Sequence, residues 1–177
     1  AAWTRLAARL QRGGITVSWD FGWSESLAEQ AYLPKLICAL DLVFLNELEA
    51  PLYARTNTLD DAYARLRTPR SNVVVKLGAA GCCFIDGAVP SRLDDAPTAV
   101  GERIEVFNVL GAGDAFASGL MKGLLDGLDF HGAARIANAC GAIVVSRHAC
   151  APAMPTPAEL DHWFSGARQP KVDADPL

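Results

Sequence analysis

No run of lysine or arginine occurs in the chain, and no stretch of about 18 or more consecutive apolar residues. The first absence, together with a formal net charge of −4, argues against a nucleic-acid surface. The second argues against a membrane span. Histidine is scarce, and His131, His148 and His162 show no ligand spacing, which disfavours a zinc site. Cysteine is present but unpatterned. Cys38, Cys82, Cys83, Cys140 and Cys150 are odd in number and have no pair spacing, so they build no disulfide framework. They read as reduced, mostly buried thiols of a cytoplasmic protein, with Cys82 and Cys83 on opposite faces of a strand. No glycine is followed by Gly-Lys-Ser/Thr, so there is no Walker loop. Internal repeats, low-complexity tracts and interdomain linkers are also missing. So is an initial methionine. The chain opens Ala1-Ala2-Trp3 inside a helix-like pattern, and is expected to be the C-terminal part of something longer.

What is present suits one compact domain. A chain of 177 residues buries about 70% of its unfolded surface and needs no staple. Helical spacing covers 1–12, stopped by Gly13-Gly14, and then 25–39, with Pro34 as a break or kink. Further helices are expected at 47–54, 59–67, 114–127, 131–146 and 158–164. Apolar, β-rich runs predict strands at 15–19 (ending at Asp20), 42–45, 73–77 and 104–107. Cys82 to Ile85 reads as a hairpin partner, with Asp86-Gly87 as a turn signal and 88–103 as loop. From Gly166 the sequence is polar and frayed. Short strands alternating with longer helices predict an α/β fold, a mostly parallel sheet flanked by helices. In such sheets ligands sit beyond the carboxyl ends of strands, where Asp20, Asn46, Gly78 and Gly111 fall.

The chemistry concentrates in Gly111-Ala112-Gly113-Asp114. Small residues at a helix start free backbone N–H groups to hold an anion. A carboxylate beside them suggests phosphoryl transfer, with Asp114 taking a proton from the attacking hydroxyl. The plain alternative is a tight loop with Asp114 as an ordinary N-cap. A dinucleotide fingerprint fails because Phe116 stands where a glycine is needed. Asn46 and Glu49, three apart at a strand-to-helix turn, could hold hydrated magnesium or merely start a solvated helix. Lys76-Leu77-Gly78-Ala79-Ala80-Gly81 lets backbone approach a nucleotide, or makes a hairpin turn. Asn138 lies among Ala137, Ala139, Gly141 and Ala142, which leave room for a flat ring or for a close helix neighbour. Arg147 and His148 close that helix and receive no catalytic role.

Taken in order, Asn46-x-x-Glu49, Lys76-x-Gly78-x-x-Gly81, Gly111-Ala112-Gly113-Asp114-x-Phe116-x-x-Gly119 and Ala137-Asn138-Ala139 resemble the PfkB, or ribokinase-like, family of carbohydrate kinases. The resemblance covers nearly the whole chain but only the later part of a family member. The N-terminal part and lid, which supply most sugar contacts in this family, are expected to be missing. Residues 1–165 then form the ribokinase-like nucleotide-binding portion and 166–177 a disordered tail. The resemblance implies ATP-dependent phosphorylation of a hydroxyl on a small-molecule sugar or sugar acid. By position, Asp114 resembles the catalytic base, and Gly111, Ala112 and Gly113 the anion hole. Asn46 and Glu49 resemble the magnesium and phosphate motif. Lys76, Gly78 and Gly81 resemble the nucleotide loop, and Asn138 an adenine-side residue. The implied cofactors are ATP and Mg2+, with a monovalent cation left open. Neither nucleic acid nor membrane is implied as a partner, and family members often form homodimers through the lid. The chain alone is expected to be inactive. Acceptors like those of ribokinases, fructokinases or nucleoside kinases are the alternatives, as is a non-catalytic nucleotide or sugar sensor. Three positions depart from the family pattern. Asn108-Val109-Leu110 replaces an Asp-Thr-Thr-like lead, which bears on the monovalent-cation site. Ala149 stands where glycine is usual. Asp20-Phe21-Gly22-Trp23 lacks the usual asparagine and arginine.

Overall fold

The β-branched runs of the first hundred residues pair into one sheet. The computed structural model describes residues 2–67, 72–85, 98–99, 101 and 104–166. They fall in two compact units, Ala1–Gly101 and Glu102–Leu177. The first begins with α1 (Ala2–Arg12) and β1 (Ser18–Asp20). Next come α2 (Glu25–Ala28), α3 (Leu33–Ile37), β2 (Leu42–Asn46), α4 (Glu49–Ala54), α5 (Leu59–Leu66) and β3 (Asn72–Lys76). A 3-10 turn at Gly78–Ala80 leads to β4 (Cys82–Ile85), and β5 (Thr98–Ala99) closes the unit. The sheet order is β1-β2-β3-β4-β5. β1, β2 and β3 are parallel, and β4 runs antiparallel to both its neighbours, so the sheet is mostly parallel as expected. Opposite Asn46 in the register stands Lys76, so the carboxyl ends of β2 and β3 lie on one edge.

The pleat sorts the side chains. Val43, Leu45, Val73, Val75, Cys83 and Ile85 share a buried cluster with Leu33, Leu36, Ile37, Tyr53, Tyr63 and Leu66 from the helices. Each large apolar side chain buried there contributes about 1.5–3 kcal/mol. Cys82 is buried too, and burial pushes its thiol up to about 12 and that of Cys83 up to about 11. A string of aromatic rings runs along the β1 side. Trp3 meets Trp19 edge-on at 5.3 Å, Phe21 stacks on Trp19 at 4.8 Å, and Tyr53 lies 5.6 Å beyond Phe21.

Several elements differ from the sequence reading. The helix expected over 25–39 is two helices. Ser24 caps the first through the Leu27 N–H, and Pro34 opens the second instead of kinking it. Proline has no N–H to lose in a first turn. β1 starts at Ser18, not at Ile15, which is exposed. The Asp41 carboxylate accepts the Val17 N–H at 2.8 Å just ahead of the strand. Helix α4 starts at Glu49. The stretch 104–107 is not a strand. It belongs to the second unit, and its end docks on that unit's second long helix, where the N–H groups of Phe107 and Asn108 both donate to Val145 O, at 2.8 and 3.2 Å. Val106 and Phe107 are exposed there, so apolar character misled. Thr98–Ala99 forms a strand within the stretch read as loop. Asp86-Gly87 and the tail beyond Gly166 lie outside the described residues. Among the described residues no helix is long and apolar enough to cross a membrane.

The second unit is helical: α6 (Ala112–Leu125), α7 (Phe130–Val145), a 3-10 turn at Ala151–Ala153 and α8 (Pro157–Phe164). α6 and α7 form a tight antiparallel pair. A Cβ on Gly119 would lie 2.8 Å from Cys140 Sγ and 3.0 Å from Ala137 Cα, and one on Gly123 would lie 2.7 Å from Ala133 Cα. The small residues are therefore used in helix packing. Ala115, Cys140, Val144 and Ala153 form the buried centre, with Met154 and Leu160 against it.

Candidate active site

The predicted residues fall into two groups, one in each unit. In the first, Asn46 ends β2 and its side chain turns onto the start of α4. Asn46 Oδ1 accepts the N–H groups of Leu48 and Glu49 at 2.9 and 2.8 Å. Glu49 Oε2 returns to accept the Asn46 N–H at 2.8 Å. The spacing is that of a reciprocal capping box. Glu49 is buried rather than on a solvated face. Its second oxygen bonds nothing among the described residues, leaving a hard donor of the type magnesium takes.

Lys76 ends β3 on the same edge. Its Nζ crosses over β2 to Asp20 Oδ2 at 2.8 Å, both side chains being partly buried. That ion pair was absent from the sequence reading. Its signal was opposite charges ending two parallel strands that flank a third. Tyr53 adds a further tie, its hydroxyl donating to Gly22 O just past Asp20. Burial raises its pKa, and the Glu49 and Asp20 charges act in the same direction. Gly78 and Gly81 bracket the 3-10 turn after Lys76, with φ of +56° and +93°. Left-handed backbone at both positions favours glycine.

The second group is the start of α6. Gly111 is its N-cap, left-handed at φ +83°, and it carries no side chain to cap the helix. Asp114 is therefore not the N-cap; it sits in the first turn and is exposed. A Cβ on Gly111 would also lie 2.5 Å from Cys150 Sγ, so the loop holding Cys150 requires glycine twice over. Of the expected cradle, the Ala112 N–H is already bonded to Val109 O at 3.3 Å. The N–H groups of Gly113 and Asp114 bond nothing among the described residues, and neither does the Asp114 carboxylate. The helix thus presents open donors with an acid beside them, at its positive end. Asn138 lies on α7, one turn before Gly141, whose own Cβ would sit 3.6 Å from Ala112 O. It is buried and hydrogen-bonded or otherwise engaged.

A third arrangement was not anticipated. Asn108 links the lead into α6 with the loop after α7: its Oδ1 accepts the Leu110 N–H, and its Nδ2 donates to Ala149 O. Ala149 holds φ +117°, where the family pattern has glycine. The depression between α2 and α4, lined by Glu25, Ala28, Glu29, Leu52 and Arg55, involves none of the predicted residues.

Comparison with known proteins gives the family and the fold. The pattern of the pfkB family carbohydrate kinases matches residues 1–157. A stretch of 67 residues is 39% identical to the 5-dehydro-2-deoxygluconokinase of Bacillus thuringiensis (strain Al Hakam), covering 38% of this chain and 20% of that kinase. Fructokinase from Vibrio cholerae O395, solved with fructose, ADP and calcium, superposes with a TM-score of 0.71 at 27% identity, over 89% of this chain and 53% of that one. A double mutant of that fructokinase was solved with fructose, ADP and a potassium ion. A putative ribokinase II from E. coli, solved with ATP and Mg2+, shares the fold with a TM-score of 0.75 at 21% identity, over 90% of this chain and 51% of that one. The chain spans about half the length of these solved proteins.

Proposed function

The chain belongs to the pfkB family of carbohydrate kinases, and on that footing we propose that it carries the nucleotide side of an ATP-dependent kinase acting on a sugar-acid hydroxyl. The observation that carries this reading is the open start of α6, where the N–H groups of Gly113 and Asp114 and the Asp114 carboxylate have no partner among the described residues. Asp114 takes the proton of the attacking hydroxyl. Gly111 and Gly113 let the main chain approach the migrating phosphoryl group, which the open donors stabilise as its charge redistributes. Ala112 supports this by being small, its own N–H being bound to Val109. The family resemblance assigns Lys76, Gly78 and Gly81 of the first unit to the nucleotide loop and Asn138 of the second to the adenine side, with Lys76 held by its ion pair to Asp20. Glu49 would hold Mg2+ through its free carboxylate oxygen, with Asn46 fixing that side chain by the reciprocal hydrogen bonds, and the ion would neutralise phosphate charge. Positioning and electrostatics do the chemistry; no protein group becomes covalently modified.

The 39% identity points to 5-dehydro-2-deoxygluconate as the acceptor. Reduced thiols and a dependence on ATP suit the cytoplasm. The test uses the complete protein with this acceptor, fructose, ribose and inosine in an ADP-release assay. Asp114→Asn should lower turnover by about 10²–10⁴-fold and leave the affinity for an ATP analogue within about twofold. Turnover unchanged in that variant would remove the base. Nucleotide binding without ADP release for any acceptor would favour a sensor.

A further inference from the structure

The family likeness left a monovalent cation open, and the donor set around Asn108 does not fit one. Both ends of the Asn108 carboxamide are engaged. Oδ1 accepts the Leu110 N–H at 3.0 Å, and Nδ2 donates to Ala149 O at 3.1 Å. Each partner is a main-chain group of fixed polarity, so the amide has only one orientation that satisfies both. Ala149 reaches this contact with φ +117°, which an alanine adopts only under strain. Its carbonyl is thus held toward residue 108 despite the cost. A cation joining these two segments would need oxygens from both facing it, with a carboxylate among them strengthening the site. Here the carbonyl faces an N–H donor, and the side chain at 108 is neutral rather than the usual aspartate.

We infer that the Asn108 amide substitutes for a bound monovalent cation, tying the lead into α6 to the loop after α7 by direct hydrogen bonds. Resting on the kinase reading above, this makes the reaction independent of K+. With Asp at 108, a carboxylate would face the Ala149 carbonyl, two acceptors with nothing between them. That variant should demand the cation that the native protein does without.

The experiment compares the complete protein in potassium chloride and in choline chloride at equal ionic strength. Native melting temperature should agree within about 1 °C, and turnover within about twofold. Asn108→Asp should melt several degrees lower in choline, by about 4 °C or more, and recover with added K+ in a saturable manner. A saturable K+ stabilisation of the native protein, or activation of about tenfold or more, would overturn the inference. So would an Asn108→Asp variant as stable as native in choline. Should that variant not fold, the native melting curves still decide. Should no acceptor be phosphorylated in either salt while native melting ignores K+, the kinase reading falls and the amide bridge stands.

Discussion

Two helices of the second unit begin in opposite ways. At α8 a full capping box is made. Thr156 Oγ1 accepts the Glu159 N–H at 3.3 Å, and Glu159 Oε2 accepts the Thr156 N–H at 2.7 Å. Arg147 holds the other Glu159 oxygen and also donates to Ala153 O. Those hydrogen bonds, the Thr156 N–H foremost and the Arg147 guanidinium next, hold the Glu159 carboxyl down at about 2. At α6 a left-handed glycine stands where a capping side chain would, and two N–H groups bond nothing among the described residues. A cap is worth about 1 kcal/mol, so α8 gains roughly what α6 forgoes. The same chain can close a helix end, and it leaves open the one beside an exposed acid. That contrast separates a start that stabilises its helix from one that leaves its donors open.

The largest break in the contrast comes at Gly111. Gly111→Ala forces a left-handed alanine and sets its Cβ 2.5 Å from Cys150 Sγ. A loss of about 2–5 kcal/mol is expected from the urea midpoint, together with loss of turnover. Adding Cys150→Ala removes the sulfur and should return about 1–3 kcal/mol, leaving the backbone share. Full recovery would mean that the positive φ costs nothing. Next in size is Thr156→Ala, which opens α8. It should cost about 1 kcal/mol in thermal unfolding and leave turnover alone, since α8 binds nothing in the proposed reaction. The smallest effect is electrostatic. The Glu159 carboxyl is depressed from 4.5 to about 2 in the folded state, so its contribution is complete above about 4.5. It fades as pH falls toward about 2. The urea-midpoint gap between native protein and Glu159→Gln should therefore narrow across that window, and a gap independent of pH would contradict the assignment.

How much of this could be read beforehand depends on what each residue answers to. Val73-Val74-Val75 and Leu42-Val43-Phe44-Leu45 are strands because the pleat buries them on both faces, and β-rich runs of that length signal it. Val106 and Phe107 looked the same, but the stretch answers to a carbonyl on α7 through the N–H groups of Phe107 and Asn108, a partner no local pattern reveals. Pro34 is ambiguous in sequence because it can kink one helix or open another; only the Ser24 cap and the turn before Leu33 decide. Within the site, the motif spacings located Asn46, Glu49 and Asp114 correctly at strand and helix ends. The reciprocal cap of Asn46 and Glu49 is also legible in the Asn-x-x-Glu spacing, beside the two readings of a magnesium site and a solvated helix start. The reach of Lys76 to Asp20 and the bridge from Asn108 to Ala149 span 56 and 41 residues, so they belong to tertiary structure.

The ring series from Trp3 to Tyr53 has an optical consequence. Indoles 5.3 Å apart and crossed at 78° are chromophores close enough to couple in a fixed chiral arrangement. Unit Ala1–Gly101 should therefore display a near-ultraviolet dichroism signature of its own, set apart from Trp163 on α8, the single tryptophan of the other unit. Loss of that signature follows the unfolding of this unit in an unlabelled sample.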